Sequence, residues 1–156
     1  MPVVLRQVLI ALGVVALQWL LFGRLKLWGA YPDVVLLYVA YVGLRFGRAS
    51  GTVAGFATGF LMDVLYGTWG IQMFIKTLLG FVVGLFVSEG SEGPRLGPLQ
   101  SGVGALGLAL VHNGLFVVFL ALANSTRSPT LITSLWIGSA VYTAVVAVVW
   151  SLIRSR

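Results

Sequence analysis

Cysteine is absent from this chain, which excludes a disulfide framework, a thiolate nucleophile and a thiolate metal site. Histidine occurs once and acidic residues four times, too few for an ordinary zinc or two-metal centre. Also missing are Gly-x-Ser-x-Gly, His-Glu-x-x-His and a phosphate-binding loop, so the common hydrolase and nucleotide-dependent classes drop out. The two carboxylates Asp33 and Asp63 have no glycine-flanked pairing of the intramembrane aspartyl-protease kind. The expectation is therefore a protein with no catalytic residue, no metal and no cofactor. Charge is scarce too, at 9% of residues against about a quarter in soluble domains.

What fills the chain is apolar: 59% of its 156 residues are hydrophobic and the mean hydropathy is +1.02. Its twenty glycines and five prolines sit mostly within or beside long apolar runs rather than in extended polar ones. This is the composition of an integral membrane protein. The net charge of +6 would suggest nucleic acid in a soluble chain, but the basic residues are spread singly and make no patch. Their positions are better read as topology.

A bilayer core about 30 Å thick requires about 20 apolar residues per helix. Six runs qualify as spans, some of them short: Val3 to Phe22, residues 33–46, Ala49 to Tyr66, Ile71 to Val87, Leu99 to Ala123 and Leu131 to Ile153. The fold expected is an all-α integral membrane protein, six transmembrane helices in one compact polytopic domain over 1–156. The second run is only about 20 Å of helix, and Gly67-Thr68-Trp69-Gly70 is a tight turn joining the third and fourth. The stretch from Ser88 to Pro98 reads as a polar loop, and Asn124 to Pro129 as a second link. With six spans, Arg6, Arg45, Arg48, Arg95, Arg154 and Arg156 collect on one side and Arg24, Lys26 and Arg127 on the other. The excess of basic residues puts both termini in the cytoplasm, and the first run, lacking a cleavage site, reads as a retained helix.

Gly47, Gly51, Gly55 and Gly59 recur every four residues, and Gly80 and Gly84 repeat the spacing on the next helix. Small residues so spaced let another backbone approach closely in lipid, where the hydrophobic effect cannot hold helices together. The ridges are read first as packing the helices of one chain together, with a partner helix or self-association as the alternatives. Charges within spans are costly and need partners. Asp63 and Lys76 lie six or seven residues on either side of the turn, about 10 Å from its end by helical rise, so an Asp63–Lys76 ion pair stapling the hairpin is expected. Pro32-Asp33 fits a helix start, with the carboxylate at the positive end of the helix dipole. His112 and Asn113 form a further polar pair deep in the fifth run, suited to hydrogen-bonding a neighbouring helix.

The order Pro32-Asp33, Leu44-Arg45-Phe46-Gly47, Gly51, Gly55-Phe56, Gly59-Phe60-Leu61, Asp63, Tyr66-Gly67-Thr68-Trp69-Gly70, Thr77-Leu78, Gly80-Phe81 and Gly84 resembles the central signature of the MreD family of rod shape-determining proteins. The likeness covers about a third of the chain, and Lys76 departs from it, standing where an uncharged residue is expected. The resemblance implies a non-enzymatic component of the bacterial cell-elongation machinery in the inner membrane. It implies binding to MreC and, through the complex, to MreB, RodA and a class B penicillin-binding protein. It also implies an architecture similar to the substrate-binding subunits of energy-coupling-factor transporters. That likeness carries an alternative, a vitamin-like ligand held near Asp63, Lys76, His112 and Trp69. Under the scaffold reading, the glycine ridges would form a groove for a partner helix, with Asp33, Asp63 and Lys76 setting register.

Overall fold

The computed structural model describes residues 3–86, 96–123 and 132–154, and these are helical apart from short connections. Helix α1, Val3–Leu17, widens into a π-helical turn over Gln18–Phe22, closed by the Gly23 N–H donating to the Gln18 carbonyl at 2.6 Å. Helix α2 is Val34–Tyr66, α3 Ile71–Gly84 and α4 Pro98–Ala123. A second π-helical turn, Ser134–Gly138, leads into α5, Ser139–Arg154. Most of the expected polar loop from Ser88, the link from Asn124 to Pro129, and Arg95, Arg127 and Arg156 lie outside the described residues.

Local chemistry sets these boundaries. Asp33 caps α2, its Oδ1 accepting from the Leu36 N–H at 2.8 Å, which satisfies one of the orphan donors at a helix start. Gly67 closes α2 in the left-handed region, its N–H donating to the Asp63 carbonyl at 2.8 Å. Pro98 occupies the first position of α4, where a missing N–H costs nothing.

The backbone of α2 is not straight. Gly47 has φ +84° and ψ −179°, outside the helical region. A straight 33-residue helix would separate Val35 from Met62 by about 40 Å, yet the two share one buried cluster with Val15. A Cβ built on Gly51 would also lie 2.9 Å from the Gly43 Cα. The chain therefore reverses at Gly47, and residues 34–46 and 48–66 are antiparallel arms of a hairpin turned by one residue. The break expected between the second and third runs falls at this glycine.

Helix α3 packs along the α2 hairpin, α4 pairs with α5, and α3–α4 contacts join the two units, with α1 against α2. The core at the join comprises Leu36, Ile75, Leu79, Ala109 and Ala140. Outward faces are apolar, with Val103, Leu122 and Trp150 each more than 60% exposed. That is the reverse of a water-soluble surface and what lipid contact requires. Among the described residues, three stretches are long and apolar enough to cross a membrane: Leu5–Phe22, Pro98–Ala123 and Ser134–Arg154. Of the remaining apolar elements, α3 and the 34–46 arm are each only about 20 Å long, while the 48–66 arm, carrying Asp63, reaches about 28 Å.

Among the described residues, the basic side chains divide unequally between the two ends. Arg45 and Arg48 flank the Gly47 turn, Arg154 lies over the Tyr41 ring at 5.6 Å, and Arg6 precedes Gln7, whose carbonyl accepts from the Tyr38 hydroxyl at 3.3 Å. All four therefore belong to the Gly47 end. Arg24 and Lys26 stand at the opposite end, with the turns that precede α2 and α3.

Candidate functional site: a closed ionic cluster within the bundle

The first π turn, the start of α2, and helices α3, α4 and α5 each deliver a polar side chain to one buried region. Lys76 on α3 is fully buried and its Nζ donates to three acceptors: Asp33 Oδ2 at 2.5 Å, Gln72 Oε1 at 2.8 Å and His112 Nε2 at 2.9 Å. An ammonium has three donors and no acceptor, so Nε2 of His112 is the accepting nitrogen. The proton of the neutral ring then sits on Nδ1, which donates to Asn113 Oδ1 at 2.9 Å. Asn113 Nδ2 passes the chain on to the Trp136 carbonyl at 3.3 Å. From α5, Thr143 Oγ1 accepts from the Asp33 N–H at 3.0 Å, and Ser139 Oγ accepts from the Tyr31 N–H at 3.2 Å. From the first π turn, buried Gln18 donates to the Pro32 carbonyl and accepts from the Val34 N–H, both at 2.9 Å.

The arrangement is closed as well as buried. Among the described residues, no buried side-chain nitrogen or oxygen lacks a hydrogen-bond partner. One carboxylate and one ammonium cancel, so the cluster carries no net charge where an unpaired one would cost several kcal/mol. A shallow cleft of about 430 Å³ lined by Phe46, Gly47, Arg48, Ala49, Gly84 and Leu85 lies elsewhere, two helical turns from Lys76 along α3.

The expected Asp63–Lys76 pair is not formed. Asp63 instead caps α3 from the neighbouring helix. Its Oδ1 accepts from the Gln72 N–H at 3.0 Å and from the Thr68 hydroxyl, and its Oδ2 accepts from the Met73 N–H at 2.8 Å. Gly70, at the N-cap position of α3, has no side chain to do this, so Asp63 supplies the anion that the helix start favours. The two charges do lie near one end of the hairpin, but Lys76 points across to the 34–46 arm and α4. Depth along a helix follows from residue counting; direction around it does not.

The glycine ridges meet each other. A Cβ on Gly51 would fall on the Gly80 carbonyl oxygen and one on Gly55 on the Lys76 carbonyl. On Gly59 it would lie 2.5 Å from the Met73 Cα, and on Gly84 it would strike the Arg48 backbone. The face expected to receive a partner helix is thus filled by α3 of the same chain, with no room there for another. Gly67 and Gly70 occupy left-handed turn positions without close neighbours.

Counting polar residues inside apolar runs could have found Gln18, Gln72, Ser139 and Thr143, which sequence reasoning passed over. A glutamine deep in the first span, such as Gln18, is as informative as a charge, because its amide also needs partners in lipid.

The described residues thus form a helical membrane bundle with a charge-balanced, hydrogen-bonded polar centre. The family model described as rod shape-determining protein MreD matches residues 1–89, more than half of the chain, and the protein belongs to the MreD family. No curated protein and no solved structure matches it. The family places it in rod-shape determination and in the membrane.

Proposed function

We propose that this protein is a non-enzymatic scaffold of the bacterial elongation machinery, a six-span protein of the cytoplasmic membrane that binds MreC. Through that complex it helps couple MreB to RodA and its class B penicillin-binding partner. The observation that carries this reading, beside family membership, is the closure of the Asp33–Lys76–His112 cluster on itself. Polar groups that bind cargo face a cavity; these face one another, so among the described residues it is the apolar exterior that is offered to a partner. The vitamin-like ligand reading loses its basis here, since Asp63 is spent on α3 and Lys76 has all three donors occupied. Arg6, Arg45, Arg48 and Arg154 at the Gly47 end support a cytoplasmic placement of that end and of both termini.

The test is purification of the tagged chain from its native membrane in mild detergent, with mass spectrometry of co-eluting proteins and retained small molecules. The scaffold reading expects MreC or the polymerase pair and no stoichiometric ligand. A stoichiometric small molecule or a coupling ATPase would sink it.

A further inference from the structure

Two turns at the end opposite Gly47 share one unusual construction. In Leu27-Trp28-Gly29-Ala30, the Leu27 and Ala30 N–H groups donate to each other's carbonyls at 2.9 Å, and Trp28 and Gly29 have φ of +51° and +89°. In Thr68-Trp69-Gly70-Ile71, the Ile71 N–H donates to the Thr68 carbonyl at 3.3 Å, and Trp69 and Gly70 have φ of +42° and +90°. Both place a Trp-Gly pair in left-handed backbone, where asparagine or aspartate is the usual companion of glycine. A bulky side chain is an outlier at positive φ, and in each case the ring so placed is almost wholly uncovered: Trp28 is 97% exposed and Trp69 94%. The two turns stand on the same end of the bundle, where the Tyr66 hydroxyl reaches Gly23.

Their depth follows from the register of the helices. Lys76 meets His112 and Leu79 packs with Ala109, so α3 and α4 are antiparallel. From those partners α3 rises about 7.5 Å to Ile71, whereas α4 rises about 16 Å to Ala123. The start of α3, two residues after Trp69, therefore lies about 9 Å below Ala123, the last described residue of α4. The 26 residues of α4 rise about 39 Å, close to the roughly 40–45 Å of a bilayer with its headgroups, so centring α4 on the bilayer puts the Trp69 turn near the level where headgroup meets acyl chain. Trp28 rises beside the α5 start, where Ala30 abuts Gly138. Around it Arg24, Leu25, Lys26 and Leu27 are all exposed, cations alternating with apolar side chains. Below Trp69, exposed Leu65, Val64 and Phe60 run without interruption into the lipid-facing belt.

We infer that the two Trp-Gly turns are a membrane-interface anchor: the indoles of Trp28 and Trp69 seat in the headgroup and glycerol zone of one leaflet, with Arg24 and Lys26 on lipid phosphates. An indole suits that zone because it is apolar in body and carries one N–H donor. The cations complement the phosphate charge. The anchor fixes the depth of the short α2–α3 unit.

The test uses the full chain in phosphatidylcholine–phosphatidylglycerol vesicles, with bromine atoms on the acyl chains either near the glycerol or near the terminal methyl. Subtracting the emission of Trp28→Phe/Trp69→Phe from that of the unaltered chain isolates the two indoles; each single Phe variant gives the same difference separately should the double variant fail to insert. The expected result is blue-shifted difference emission, most of it lost to shallow bromines and less to deep ones. Red-shifted emission, untouched by brominated lipid and quenched by aqueous iodide, would overturn the inference and leave the turns to water or a protein partner.

Discussion

Along the seam between α2 and α3, backbone lies against backbone, whereas between α4 and the α5 segment side chains fill the space. Gly51 against Gly80, Gly55 against Lys76 and Gly84 against Arg48 leave no gap for a single carbon. In the other unit, a Cβ on Gly102 would meet only the tip of Val148 and one on Gly114 the Trp136 ring, while Gly104 and Gly107 face open space. Side-chain tips can shift by rotamer; a carbonyl in a helix cannot move without its helix. The two units therefore reach helix packing by routes that differ in tolerance, and glycine spacing alone does not distinguish them.

The strongest way to break this contrast is to put the same side chain on both sides of it. Gly55→Leu should separate α3 from α2 and cost more than ~3 kcal/mol, at or beyond the upper range for overpacking. The monodisperse peak in size-exclusion chromatography should vanish, while Gly107→Leu on the open face of α4 elutes as the parent does. Equal behaviour of the two would dissolve the contrast.

Next in size is the charge pair that joins the units. Lys76→Met strands Asp33 and should cost about 3–5 kcal/mol, as for other buried pairs broken on one side. Asp33→Asn/Lys76→Met removes both charges while Asn keeps the cap, and should recover much of that loss in thermal-unfolding midpoint. A double variant as unstable as the sum of its singles would show no coupling across the join. Smaller again is Asp63→Ala, which deprives α3 of its borrowed cap at about 1–2 kcal/mol. Asp63→Asn should retain part of it in the same melt, and an Ala variant melting like the parent would remove the capping role. Smallest, Gly104→Ala should raise the midpoint slightly, by up to ~1 kcal/mol of helix propensity; Gly51→Ala, with the same gain in propensity, should lower it.

Particular residues show why the sequence disclosed some of this and not the rest. The apolar runs and the break at Gly47 were readable because length and flanking Arg45 and Arg48 are one-dimensional signals. The cap at Asp33 was readable from Pro32-Asp33, because capping is local. The partner of Lys76 was not, since Asp33 lies 43 residues away and reaches it only through the way three helices pack. Likewise the four-residue glycine spacing announced a close contact without naming its second member. The Gly67 to Gly70 turn was plain, but its twin at Trp28 went unread because its flanks, Leu27 and Ala30, look like more of an apolar run.

The span of 43 residues between Asp33 and Lys76 also has a meaning in time. Synthesis at about 5–20 residues per second puts roughly 2–9 s between the two. Through that interval a nascent chain holding α1 and α2 carries a carboxylate whose ammonium has not yet been made, and His112 follows later still. The buried pair can therefore close only after the whole α2 hairpin and the first turn of α3 have been made. The contact that joins the two units is also one that the first of them cannot make alone.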